Sequence, residues 1–281
     1  MCPDTEQASG PANAIFCRAG LSYGGASFAT PVVVDVEIRD ARQSAPGRWQ
    51  DCGFELMAHP SRVVNWEDED IEAIHYAEIE LLARQLTGCD HALVSSHIQR
   101  NPAQASRHSD LAPIQAVHSD FAASYGDLLR SRYQRGDPAM QACLQRAGLD
   151  QDAVANAQRL VILQFWRNLG AAKMDLPLAF CDARTVPQAD IRPSLVEDYA
   201  GGGINFETLG ILPPTTPGQH HWYVYPNMQR DEVVAFRTYD SARVGTAQPY
   251  WTPHTAFADP AVLPGHPSRA SIELRATCVF L

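Results

Sequence analysis

The pattern of hydrophobic and polar positions switches along this chain from short β-type runs to helical stripes and back again. Ala14-Ile15-Phe16-Cys17, Pro31 to Ile38 and Phe54-Glu55-Leu56-Met57 are rich in branched and aromatic residues, which suit a pleated surface, and predict strands around a polar loop from Asp40 to Asp51. Between Asp68 and Leu86 the spacing changes. Ile71, Ile74, Ile79, Leu82 and Leu86 recur at helical intervals behind a cluster of acids, with Asn65 or Asp68 as N-cap and Gly88 past the end. Ala92 to His97 predicts another strand, followed by a polar loop from Arg100 to Ser109. Ala122 to Arg135, Asp137 to Ala147 and Gln151 to Arg159 predict helices, with Pro138 in a first turn and Gly148 as a stop.

Beyond the helices the β signal dominates. Leu160 to Trp166, apolar but for Gln164, and Leu178 to Asp182, apolar up to its last residue, read as strands, the first of them buried, and Gly201-Gly202-Gly203 opens a loop. His221 to Tyr225, Asp231 to Tyr239, the region of His254 and Ser271 to Leu281 complete the β-rich last third. In the final run Ile272, Leu274, Ala276, Cys278 and Phe280 share one face, while Ser271, Glu273, Arg275 and Thr277 share the other. Two charges on one face mark either an edge facing water or the lining of a polar cavity.

Composition narrows the class. With 281 residues, 45% apolar and 19% charged, the chain has the make-up of a globular protein with a sizeable core. A loose polar tail over residues 1–12 and a single domain over 13–281, with a helical insert at about 122–159, are expected. The formal charge of −10 disfavours a phosphate backbone as partner, and all but Lys173 of the 22 basic residues are Arg. Seven scattered cysteines form no C-x-x-C pair, which speaks against a structural zinc site and against a disulfide framework. No apolar run reaches the length of a membrane span, and Met1 to Gly10 lacks the basic and apolar regions of a signal peptide, so a soluble cytoplasmic protein is expected.

The chemistry is concentrated in Val117-His118-Ser119-Asp120-Phe121. On an extended segment His118 and Asp120 project to the same side and can offer one imidazole nitrogen and one carboxylate oxygen to a single metal. His254 is the best candidate for a third ligand. Two histidines and a carboxylate form the facial triad that leaves coordination positions of Fe(II) open. His108-Ser109-Asp110 repeats the tripeptide, but it sits in a polar loop, whereas His118 closes the apolar run Ile114 to Val117. A metal site needs rigid placement, which favours the second copy.

A 2-oxoglutarate-using enzyme must also hold a dicarboxylate. Arg269 and Arg275 follow His254 by 269 − 254 = 15 and 275 − 254 = 21 residues, a distance that suits a strand, a turn and a returning neighbour. Arg269, with the Ser271 hydroxyl, is the preferred clamp, and Arg275 the second choice. Trp166, Tyr223, Tyr225 and Tyr239 either shape a substrate pocket or pack the core, and Arg167 meets either a substrate carboxylate or a structural acid.

Longer blocks carry a family resemblance: Asp51-Cys52-Gly53-Phe54, Tyr76-Ala77-Glu78, Val117-His118-Ser119-Asp120, Phe165-Trp166-Arg167-Asn168-Leu169, Trp222-Tyr223-Val224-Tyr225-Pro226, Phe236-Arg237-Thr238-Tyr239-Asp240-Ser241, Pro253-His254-Thr255-Ala256-Phe257 and Arg269 to Arg275. Through them the chain, from about Ile38 to Leu281, resembles the non-haem Fe(II)/2-oxoglutarate oxygenases of fungal and bacterial secondary metabolism. That family includes the cephamycin methoxylase component, hydroxylase/desaturases of the asperfuranone and gibberellin type, and endoperoxide-forming enzymes. Asn168 departs from it, standing where relatives carry Pro. The resemblance implies a mainly β fold with α insertions, a double-stranded β-helix (jelly-roll, cupin-like) core flanked by helices, with His118, Asp120 and His254 on the metal. It further implies Fe(II), 2-oxoglutarate and O2 as cofactors and co-substrates, and oxidation of a C–H bond of a small natural product by hydroxylation or desaturation. A non-catalytic jelly-roll accessory protein that binds a metabolite or a pathway methyltransferase, and a zinc-dependent hydrolase, are the alternatives. A homo-oligomer or a pathway partner enzyme stays open, as does the substrate.

Overall fold

The structure is a computed structural model and describes residues 14–24 and 30–281. The tail expected over residues 1–12 lies outside the described residues. β1 (Ile15–Tyr23), β2 (Val32–Asp40), β3 (Phe54–Ala58), β4 (His91–Arg100) and the two-residue β5 (His118–Ser119) come before the helical insert. β6 (Arg159–Asn168), β7 (Leu178–Cys181), β8 (Ile191–Val196), β9 (Phe206–Ile211), β10 (Trp222–Val224), β11 (Glu232–Asp240), β12 (His254–Ala256) and β13 (Ser271–Phe280) follow it.

These strands form two sheets, one of eight strands in the order β1-β2-β10-β7-β12-β5-β9-β8 and one of five in the order β3-β11-β6-β13-β4. All pairings are antiparallel except β2 with β10. The inner faces meet in a core where Phe54, Trp166, Val234 and Phe236 of the smaller sheet pack on Phe180 and Tyr223 of the larger and on Tyr225, just past β10. The helices Tyr125–Gln134, Pro138–Ala147 and Gln151–Ala155 pack into a separate hydrophobic cluster, with Leu160 and Ile162 of β6, through Leu129, Tyr133, Met140, Leu144 and Val154. Pro138 stands in the first turn and Gly148 ends its helix in the left-handed region, as the sequence predicts.

The outer face of the smaller sheet is covered by the helix Tyr76–Thr87, whose Ile79, Leu82 and Ala83 pack on Ile272, Leu274, Ala276 and Cys278 of β13. This helix departs from the regular stripe. Residues Ile71–His75 form a π-helical turn, and Glu67, not Asn65 or Asp68, occupies the N-cap. The wider turn advances the side chains by an extra residue, so His75 and Tyr76 are buried beside Ile71, whereas Ile74 is only half-buried.

Other boundaries shift for local reasons. Asp40 caps a short helix, Ala41–Ser44, inside the predicted loop, and Asn101 caps Pro102–Ala105. The last helix of the insert stops at Ala155, short of Arg159, because Arg159 already pairs with Phe280 in the sheet. The β8–β9 hairpin is absent from the sequence-based reading. Pro193 and the charges around it hide β8, which is the edge strand and therefore tolerates a residue without an N–H.

Candidate metal centre

β5 is short, yet it is held from both sides, with His118 paired to His254 of β12 and to Gly210 of β9. The two imidazoles therefore start from neighbouring Cα positions, and their ring centroids are 4.4 Å apart. Each Nδ1 lies against the carbonyl two residues earlier, His118 on Ala116 O at 2.7 Å and His254 on Thr252 O at 3.0 Å. A carbonyl only accepts, so each Nδ1 carries a proton and each Nε2 is the nitrogen left to face a metal ion. Asp120 Oδ1 lies 3.6 Å from His118 Nε2 and 3.5 Å from His254 Nε2. One donor atom from each of the three residues fits within a 4.8 Å span. Donors each about 2.0–2.2 Å from a common ion are separated by such gaps, so the residues fit a metal ion.

The electrostatics agree. Burial alone would raise the Asp120 carboxyl, but Arg275 and the two imidazoles outweigh it and hold the group well below the usual range, as a carboxylate. Burial, followed by repulsion from His254, pushes the His118 imidazole down to about 4, so it is neutral and able to ligate at pH 7. Arg275 places Nε and Nη2 at 3.2 and 3.1 Å from Asp120 Oδ2. Glu273, two residues earlier on the same face, accepts from Arg100 Nη2 at 2.9 Å. Arg100 in turn donates to the carbonyls of Asp110 and Ala112, which fixes the loop above the site. The charged face of β13 thus faces the site, with Glu273 on a small polar recess and Arg275 on a larger cavity.

Arg269 closes the other side of that recess. Its Nε donates to Ser271 Oγ at 3.1 Å and its Nη1 to Leu176 O at 3.0 Å, and the guanidinium lies 5.2 Å over the Trp166 ring. Burial, then the neighbouring Arg100 charge, lowers its pKa to about 9. Arg269, Gln164 and Leu178 border a cavity of about 20 Å³ together with His118, Asp120 and His254. Also bordered by His118 and Asp120 is a cavity of about 740 Å³, walled by Ile98, Ile114, Phe121, Tyr125, Tyr199 and Phe206 together with Arg100 and Arg275.

Among the residues expected at the substrate, none of Trp166, Arg167, Tyr223, Tyr225 and Tyr239 is on that wall. Trp166 lies beneath Arg269. Arg167, which alternates to the outer face, donates to Arg230 O and His59 Nδ1 and stacks over Trp66. Tyr223 and Tyr225 pack around Phe54 between the sheets, and Tyr239 packs against Tyr125 and Tyr250. In the first tripeptide copy, His108 caps a turn by accepting from the Asp110 amide. Arg100, Glu273 and Gln164 also line the site, beyond the residues to which the sequence points. Only Glu273 carried a signal, its place on the polar face of the last strand.

Fold and site together define a β-rich protein with a two-histidine, one-carboxylate centre between an arginine-lined recess and a large apolar cavity. The chain belongs to the family described as the oxidoreductase/YMDC permease-like domain, whose model matches residues 22–280. Among the described residues no helix is long and apolar enough to cross a membrane. The chain is 27% identical over 241 residues to the hydroxylase/desaturase efuI of Hormonema carpetanum, covering 79% of this chain and 75% of that protein. It is 26% identical over 209 residues to the Fe(II)/2-oxoglutarate-dependent dioxygenase nvfI of Aspergillus novofumigatus, covering 73% and 66%. In fold it is similar to a structure of the iron and alpha-ketoglutarate-dependent endoperoxidase NvfI, with a TM-score of 0.74 and 21% identity over 96% of this chain and 99% of that one.

Proposed function

We propose that this chain is a non-haem Fe(II)/2-oxoglutarate-dependent oxygenase that hydroxylates or desaturates an unactivated C–H bond of a small secondary metabolite, on a double-stranded β-helix core. One observation carries the reading: three metal-ligand donors converge where an apolar cavity meets a recess closed by a buried arginine. The fold likeness and the named activities of the relatives support it.

His118 and His254 present Nε2 and Asp120 presents Oδ1. Fe(II), when bound, would supply oxygen activation coupled to decarboxylation of 2-oxoglutarate to succinate. The chain's own residues bind, orient and exclude water. Arg269 Nη2 has no protein partner among the described residues, which leaves it for a carboxylate of the co-substrate. Ser271 and the Trp166 ring fix the guanidinium plane. Phe121, stacked on Tyr125 at 3.6 Å, and Phe206 surround the substrate side with apolar surface and keep water from the reacting bond. A zinc hydrolase with the same ligands has no use for Arg269.

Anaerobic titration of apo-protein with Fe(II) and then 2-oxoglutarate is the test. The visible metal-to-ligand charge-transfer band of a chelated 2-oxoacid is expected in the wild type and absent in His118→Ala. Iron bound without that band, and without succinate formation in air, would overturn the assignment.

A further inference from the structure

Arg275 lies on the last strand and Arg269 two residues before it begins, and the structure gives the two different occupations. Arg269 sits in the small recess with one nitrogen uncommitted. Arg275 is already engaged, and by an uneven bond: both of its donating nitrogens meet one oxygen of Asp120, Oδ2. The other oxygen, Oδ1, is the one that faces both histidine Nε2 atoms. A fork spread over both oxygens would occupy the whole carboxylate; a fork gathered on one oxygen divides it.

We infer that Arg275 is a positioning residue for Asp120 and not a clamp for the co-substrate: it holds Oδ2 so that Asp120 offers a metal ion one oxygen only. The inference rests on the metal centre proposed above and assigns its internal division of labour. Carboxylates bind cations with one oxygen or with two, and a two-oxygen grip by Asp120 would fill a coordination position that a facial triad must leave open.

The surroundings keep Arg275 in that role. Its guanidinium lies 5.4 Å over the Phe121 ring, which sets its plane. Glu273 approaches its Nη2 at 3.9 Å and is itself paired with Arg100, so a carboxylate offsets part of the cationic charge beside the metal position. Removing Arg275 therefore removes orientation more than it removes repulsion. The strand ladder permits the reach: opposite Arg275 the pairing with β4 slips register between Leu274 and Ala276, while the pairing with β6 stays regular.

Co(II) titration of the apo-proteins, with no turnover required, separates the two arginines. R275M is expected to bind Co(II) about 10- to 100-fold more weakly, the usual loss when a residue that orients a ligand is removed. R275K is expected to recover part of that loss, since an ammonium keeps the charge but not the two-nitrogen bond. R269M should bind Co(II) as the wild type does, while its KM for 2-oxoglutarate rises; R275M at saturating Fe(II) should keep the wild-type KM. Thermal unfolding of each variant checks that it is folded, and R275K decides if R275M is not. Equal or tighter Co(II) binding by the Arg275 variants, or a raised 2-oxoglutarate KM in R275M at saturating metal, would overturn the inference. A wild type that takes up no Co(II) is a separate result, which defeats the metal centre itself and this inference with it.

Discussion

Gly53 and Thr252 are joined by a hydrogen bond, the Thr252 hydroxyl donating to the Gly53 carbonyl at 3.1 Å, and this contact backs the segment that carries His254. Thr252 also donates its amide to Ser119 Oγ at 3.2 Å and accepts His254 Nδ1–H at its carbonyl. One threonine therefore links the segment before β3 to β5 and β12.

Gly53 has φ = +106°, and a Cβ there would come within 3.0 Å of Thr252 Cγ2. Gly53→Ala is expected to cost roughly 1–3 kcal/mol from the backbone conformation alone and to displace Thr252 with His254. Thermal unfolding should show a lower Tm, and a Co(II) titration weaker binding. An unchanged metal affinity would separate Thr252 from the placement of His254.

Arg269→Met should raise the KM for 2-oxoglutarate roughly 10- to 150-fold, corresponding to about 1.5–3 kcal/mol for a hydrogen bond to a charged group. Steady-state succinate release measures it. A KM that stays at the wild-type value would move the clamp elsewhere in the recess, with Gln164 the next residue to vary.

His75 gives the fold an acid-labile point. Burial drives its imidazole down to about 4, against the pull of Glu78, which accepts from Nδ1 at 2.9 Å. The unfolded chain takes up this proton near pH 6.5 while the folded chain refuses it until about pH 4. Stability is therefore fully present above pH 6.5 and falls with pH across that window, by on the order of 3 kcal/mol. Denaturant unfolding as a function of pH should show the slope, and His75→Asn should flatten it. The same slope in the variant would assign the acid sensitivity to other groups.

Gly126→Ala tests the structural role of Tyr239. A Cβ at Gly126 would meet the Tyr239 hydroxyl and come within 3.0 Å of its Cζ. The buried ring has little room to retreat, so a loss of about 1–3 kcal/mol is expected, the range for overpacking. Equilibrium unfolding measures it, and a neutral result would mean that Tyr239 is free to move.

What the sequence revealed and what it hid both follow from periodicity. Alternation along Ser271 to Phe280 predicts which side chains reach the interior, and Glu273 and Arg275 are there. The choice between His108-Ser109-Asp110 and His118-Ser119-Asp120 was legible from the company each keeps, a polar loop against an apolar run. The cavity wall was not legible. Phe121, Tyr125, Tyr199 and Phe206 come from a loop, a helix start, a short turn and a strand that no pattern announced, so no single period aligns them. Trp166 and Arg167 were read together, although adjacent strand residues face opposite ways, and only Trp166 turns toward the site.

The pairing of His118 with His254 has a last consequence, for assembly. The two residues are 254 − 118 = 136 positions apart, and no shorter stretch of chain contains both. A metal ion held between them would act as a rivet closing that long loop, driven home only once β5 and β12 have met. Binding only the folded form, an ion at a hundred times its Kd would add about 2.7 kcal/mol to stability. Occupancy of the centre would then report that β5 and β12 have met.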